Sequence, residues 1–288
     1  MRSFPRRRRY PSGAWCGLSL CCSKLFPPSF SGFGIIFSAP VKFYSAEVAS
    51  ISVFAIGDLH LSFGSDKPMD IFGPAWNDHA ARLRDNWNAA VSPQDTVIVP
   101  GDISWAMDFA SAAPDFKFIE QLNGKKIILK GNHDYWWSTA AKNRRFLDEN
   151  GITGITFLYN DAVRAEDFII CGTRGWFVDS AYSPEDEKIV DREVGRYRLS
   201  FAEAEKLRKE RDGEIIAFLH YPLCYGGTEC EKLAAAVAES GVKRCWYGHL
   251  HGVDRARLAQ SCRGVRTELV SADFVNFTPV RIYPRLPG

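Results

Sequence analysis

The stretch ISVFAIGDLH, residues 51–60, sets a run of apolar and β-branched side chains against an abrupt Gly57-Asp58-Leu59-His60 ending. Residues 51–56 have the composition of a buried strand, and glycine just before the aspartate suits a sharp turn with close backbone approach. The same pattern returns along the chain. Residues 96–99 run into Pro100-Gly101-Asp102, and residues 126–129 lead to Gly131-Asn132-His133-Asp134. Residues 214–219 stop at His220, and residues 242–246 end at Gly248-His249-Leu250-His251. In open α/β sheets ligands bind beyond the carboxyl ends of the strands, so these polar groups are expected to converge on one side of the molecule. A single histidine of this kind reads better as a satisfied core or surface residue. Five of the six histidines occupy such positions, however, with only His79 left over, and coincidence does not account for that.

Further strands are expected over residues 168–171 and 265–270, and helices over 76–90, 138–149, 200–211 and 230–239. Short apolar runs alternating with helical spacing argue for α/β architecture. Residues 178–198 carry many charges and read either as a cap over the entrance to a site or as a solvated helix with its loop. Asp134 reads as orienting His133 or a nearby loop, or as an N-terminal carboxylate for the helix at 138–149. No internal repeat is visible.

Ahead of this body, residues 1–48 mix Arg6-Arg7-Arg8-Arg9 with proline, serine, glycine and scattered aromatics, without sustained periodicity. They are expected to be a disordered or marginally ordered N-terminal extension, leaving one domain over 49–288. Pro11, Ser12 and Gly13, then Pro27 and Pro28, interrupt the uninterrupted apolar core a secretory signal needs. The apolar stretches are also too short and broken for a membrane span.

The formal net charge of +2 belongs to that head. Residues 1–50 hold seven basic residues against Glu47 alone, and positions 51–288 carry −4. A body of that sign has no global electrostatic reason to bind a nucleic-acid backbone. A small anionic substrate remains compatible with it, because a metal ion supplies positive charge locally. The eight cysteines form no CxxC pair and no regular framework, which reads as reduced thiols in a cytoplasmic protein.

Taken in order, DLH, GD, GNHD, a strand-terminal His and GHLH resemble the motifs of the calcineurin-like metallophosphoesterases, from about residue 51 to the C-terminus. One DxH or one GHxH is weak evidence, whereas five motifs in family order are strong. The resemblance implies a four-layer α/β/β/α sandwich with two mixed β-sheets, its metals above one edge. The strand pattern alone does not separate this from a simple three-layer sheet. The resemblance also implies a phosphohydrolase with two divalent metal ions that activate water for attack on a phosphomonoester or phosphodiester. Asp58, His60 and His251 would then hold the first ion, Asn132, His220 and His249 the second, and Asp102 both. His133 would protonate the leaving oxygen or stabilise charge developing on phosphorus. Mixed N/O ligation suits Mn first, with Zn or Fe as alternatives.

Arg174 is the basic side chain singled out for the substrate, because a guanidinium at a strand end can clamp a phosphate bidentately. Trp105, Tyr135-Trp136-Trp137 and Trp176 stand near strand ends as a pocket wall or as packing beneath loops. A metal-bound scaffold without turnover would be expected to lose His133 or a ligand, and none is missing. Protein phosphatase activity is the other alternative, since surface recognition leaves little trace in one chain. A nuclease would call for a basic groove that the acidic body does not offer.

Overall fold

The structure is a computed structural model and describes residues 51–178 and 180–283. The expected N-terminal extension lies outside the described residues. In chain order the strands are β1 (Val53–Ala55), β2 (Thr96–Pro100), β3 (Lys125–Leu129), β4 (Ile155–Phe157), β5 (Val163–Ala165), β6 (Phe168–Thr173) and β7 (Glu214–Leu219). They continue as β8 (Cys224–Tyr225), β9 (Thr228–Glu229), β10 (Arg244–Tyr247), β11 (Ser261–Cys262), β12 (Val265–Leu269) and β13 (Val280–Ile282). The helices are α1 (His79–Ala90), α2 (Phe109–Gln121), α3 (Ala140–Glu149), α4 (Pro184–Glu210) and α5 (Glu231–Glu239).

Two large mixed sheets result. The first runs β13-β1-β2-β3-β4, parallel from β1 to β4 with β13 antiparallel at its edge. The second runs β11-β12-β10-β7-β6-β5, a parallel centre with antiparallel β11 and β5 outside it. A parallel bridge between Gly57 and Ser271, each just past a strand, joins the two.

Side-chain alternation along each strand explains why the sheets face each other. Val53, Ala55, Ile98, Ile127 and Leu129 point inward from the first sheet to meet Phe168, Ile170, Ile216, Phe218 and Trp246 of the second. The intervening residues face outward. Phe54, Val97, Val99 and Ile128 pack with Leu83 and Trp87 of α1, Phe116 and Ile119 of α2, and Phe146 of α3. On the other side Ile169, Cys171, Ala217 and Cys245 pack with Val190 and Tyr197 of α4 and Leu233 and Val237 of α5. Strands buried on both faces read as continuous apolar runs, and the layer order is α/β/β/α.

Several boundaries move. The helix expected from residue 76 begins at His79, because Pro74–Trp76 forms a separate 3-10 turn. The helix expected from 138 begins at Ala140, capped by Thr139, whose side chain accepts from the Lys142 N–H. The charged residues 178–198 and the helix expected at 200–211 belong largely to one element, α4. Ser183 caps it reciprocally with Asp186, Pro184 opens its first turn, and it buries Val190, Glu193, Tyr197, Ser200 and Ala204.

Candidate metal centre

The carboxyl ends of β1, β2, β3, β7 and β10 bring the strand-end residues together. Asp58, His60, Asp102 and His220 are buried, Asn132, His133 and His249 are partly so, and His251 stands at the rim. The backbone takes left-handed φ at Asp58 (57°), His60 (46°), Asp102 (52°) and His249 (72°). Non-glycine residues adopt that region rarely, and strain of this kind gathers at functional sites. The neighbouring glycines are needed for room. A Cβ on Gly131 would lie 2.1 Å from Asp102 Oδ1, and one on Gly248 would lie 2.2 Å from Asp58 Oδ2.

Two groups have all their ligand atoms within 4.8 Å of one another: Asp58 with His60 and His251, and Asp58 with Asp102 and His220. His60 Nε2 is 3.1 Å from His251 Nε2. Asp102 Oδ2 is 3.7 Å from His60 Nε2 and 3.5 Å from His220 Nε2, so it faces the imidazoles of both groups. Asn132 Oδ1 lies 2.7 Å from His220 Nε2 and 2.9 Å from His249 Nδ1. All seven residues expected to be ligands therefore meet in one place.

The donor set fits divalent cations. Two ligand atoms each about 2.1 Å from one ion and at near right angles lie about 3 Å apart, the spacing seen between His60 and His251. The outer nitrogens of two imidazoles are already engaged: His220 Nδ1 donates to Pro100 O at 3.0 Å, and His251 Nδ1 faces Asp273 Oδ1 at 2.9 Å. Their Nε2 lone pairs are thus left for the interior of the cluster. Asp58 and Asp102 are buried, and among the described residues neither forms an ion pair with Lys or Arg. Buried carboxylates without a cation are costly, which is the environment a metal ion relieves.

Titration behaviour follows from this burial. Desolvation pushes the Asp58 carboxyl well up, and Asp102 nearby adds to it. Burial holds the His220 imidazole down at about 3 and the His249 imidazole at about 2, so both are neutral and able to ligate. His251 differs. Burial lowers its pKa too, but the hydrogen bond to Asp273 and the charge of Asp58 outweigh that and raise it to about 8.

His133 sits beside the cluster. Its backbone N–H donates to Asp102 Oδ1 at 2.8 Å, and its ring packs 4.3 Å from that of Trp105, which stacks on His60 at 4.9 Å. Tyr135 Oη is 3.5 Å from His133 Nδ1. Of the aromatic segments, Trp105 and Tyr135 therefore border the site, whereas Trp136 and Trp137 are buried in the core behind it. Arg174 follows β6, and its carbonyl accepts the N–H of His220 at 3.0 Å.

Two acidic residues matter that the strand-end motifs assigned to nothing definite or missed. Asp134 does not cap α3, which Thr139 does; of its expected roles it takes that of orienting nearby loops. It is buried, and its oxygens accept from the N–H groups of Gly131 (2.7 Å), Asp102 (3.0 Å), Ile103 (2.9 Å) and Ser104 (3.4 Å) and from Trp136 Nε1 (3.1 Å). It ties the loop after β2 to the loop after β3. Asp273 orients His251 and accepts the Gly252 N–H at 3.0 Å. It too follows a strand, β12, so the pattern that led to the candidate ligands extends to it.

Comparison with curated proteins gave no match. Among solved structures, a protein of unknown function from Aquifex aeolicus is 16% identical, with 81% of this chain and 96% of that one covered at a TM-score of 0.44. A phosphopantetheinyl hydrolase from Mycobacterium tuberculosis is 15% identical, with 83% and 99% covered at a TM-score of 0.47. The family model for calcineurin-like phosphoesterases matches residues 51–253, a span that holds the five strand-end motifs from Asp58 to His251. The chain belongs to the calcineurin-like phosphoesterase family.

Proposed function

We propose that the protein is a metal-dependent phosphohydrolase with two divalent ions, cleaving a phosphomonoester or phosphodiester of a small molecule. The reading rests on one observation above all: Asp102 Oδ2 faces the imidazole nitrogens of both His60 and His220. A carboxylate so placed can be shared, with Asp58, His60 and His251 on one side and Asn132, His220 and His249 on the other. Two bound cations would polarise the phosphoryl oxygens and acidify a water for attack on phosphorus. The chain's own residues supply the rest. Asp58 and Asp102 provide the negative charge that selects cations, and Pro100 O and Asp273 fix which imidazole nitrogen turns inward. His133, held against Asp102 by its own backbone, offers a proton or hydrogen bond to the leaving oxygen. Arg174, near enough for its charge to help hold the His220 imidazole down, would orient the phosphate.

Manganese is the first candidate metal, with zinc or iron next, since the imidazole, carboxylate and amide set accepts each. No helix among the described residues is long and apolar enough to cross a membrane. Cysteines 171, 224, 230, 245 and 262 are free, in keeping with a cytoplasmic setting. The test is hydrolysis of p-nitrophenyl phosphate, bis-p-nitrophenyl phosphate and 2′,3′- and 3′,5′-cyclic nucleotides, with Mn²⁺ and with chelator. Turnover with Mn²⁺ that chelation abolishes is expected. No turnover of any of them with Mn²⁺, Zn²⁺ or Fe²⁺ would overturn the assignment.

A further inference from the structure

Next to the metal-type residues lies a cavity of about 340 Å³ whose lining includes Lys130, Arg174, Arg192 and Arg196, with Glu193 as its acidic side chain. Its place in the fold is specific. The candidate ligands follow β1, β2 and β3 in one sheet and β7 and β10 in the other. The cavity begins one strand further out in both, at the ends of β3, β4 and β6, and the first half of α4 closes it. Lys130 stands two residues before Asn132, and the Arg174 carbonyl holds the His220 N–H, so the two sites share a wall.

The charge there is not balanced internally. Glu193 is buried and already committed: it accepts from Thr173 Oγ1 and, at 3.2 Å, from the Gly175 N–H, and it lies 3.5 Å from Arg174 and 3.7 Å from Arg196. One carboxylate thus separates two guanidiniums and neutralises neither fully. Among the described residues Lys130 and Arg192 form no ion pair within 4 Å, and Arg174 Nε is buried without a hydrogen-bond partner. Arg196 lies over the ring of Tyr159, another lining residue, at 5.6 Å. Concentrated cations in a walled pocket on an acidic body focus an attractive field for anions.

We propose that this cavity binds a second phosphate group of the substrate, so that the enzyme acts on small molecules bearing two phosphates, one over the metal-type cluster and one among Lys130, Arg192 and Arg196. The inference rests on the phosphohydrolase reading and deepens it. A phosphate brings charge-assisted hydrogen bonds to several donors at once, each sufficient for about a tenfold effect on binding.

The full chain loaded with Mn²⁺ is assayed for kcat/KM on adenosine 3′,5′-bisphosphate against adenosine 5′-monophosphate, and on fructose 1,6-bisphosphate against fructose 6-phosphate. At least one bisphosphate is expected to exceed its monophosphate about tenfold or more, and the pair that does so identifies a nucleotide or a sugar source. The excess should vanish in R192E/R196E, and fall part of the way in Arg192→Gln, an exposed position that keeps the test open should the double variant fold poorly. Calorimetry on the chelator-treated chain provides a second readout. The preferred bisphosphate should bind wild type and bind R192E/R196E about tenfold more weakly. Equal turnover of mono- and bisphosphates by wild type, or a preference that survives both variants, would overturn the proposal. Failure to hydrolyse any phosphoester would instead strike the phosphohydrolase reading, while the calorimetric comparison would still report on the cavity.

Discussion

Asp273 Oδ1 lies 2.9 Å from Nδ1 of His251, on the side of the imidazole that faces away from His60. This contact, with Asp58, raises the His251 pKa to about 8 despite burial, so at neutral pH the metal-free ring carries a proton. An ion held through Nε2 would displace that proton. Mn²⁺ affinity should therefore tighten as pH rises towards about 8, with proton release measurable by titration in weakly buffered solution. The metal-free fold responds in the opposite sense. Because the folded pKa exceeds the ordinary 6.5, the contact stabilises the metal-free protein below that pH and ceases to do so as pH passes about 8. Asp273→Asn should weaken Mn²⁺ binding about 10- to 100-fold and reduce its pH dependence to the part that Asp58 contributes.

Asp102→Asn removes a charge from the point facing both His60 and His220. On the proposed two-ion reading, elemental analysis after Mn²⁺ loading should show both equivalents falling together, each with affinity reduced about tenfold or more. A variant that keeps one ion at full affinity would show that the carboxylate is not shared.

His133→Ala should keep its metal, because the hydrogen bond of His133 to Asp102 is made by its backbone N–H, which the substitution retains. Turnover of p-nitrophenyl phosphate should drop about 10²- to 10⁴-fold, the range for losing a positioned proton donor. Parallel loss of metal would make His133 a ligand.

Asp134→Ala leaves the N–H groups of Gly131, Asp102, Ile103 and Ser104 facing an apolar gap. Each unsatisfied buried donor costs about 1–3 kcal/mol, with partial relief from water. Thermal denaturation should show a loss of about 3–5 kcal/mol, and metal content should fall with it because the loop carrying Asp102 is released. Asp134→Asn keeps an acceptor and should lose less.

The central strands and the convergence of their terminal residues were legible because an apolar run stopping at Gly-Asp, Gly-Asn-His or Gly-His-Leu-His leaves little choice of geometry. β7 begins and ends where the pattern put it. Other parts were hidden for physical reasons. α2 was missed because Pro114 interrupts its helical reading, although Asp108 and Ser111 form a reciprocal cap at its start. β4, β5 and β13 are three residues each, too short for alternation to show. Two facing sheets could not be told from one, since strands buried on both sides look alike in either arrangement. α4 was split because its many charges masked a buried stripe at Val190, Tyr197 and Ala204. The cationic cavity draws on three separate segments, and of these only Arg174 carried a signal of its own.

The two sheets meet face to face, yet the strand ends that supply Asp58, Asp102 and Asn132 belong to one of them and those that supply His220, His249 and His251 to the other. Ions bound among these residues would act as rivets through both plates of the sandwich. Stripping them should then be felt well beyond the active centre, as faster amide exchange in β2 and β7 at once, and the cell's metal supply would govern how long the folded chain lasts as well as how fast it works.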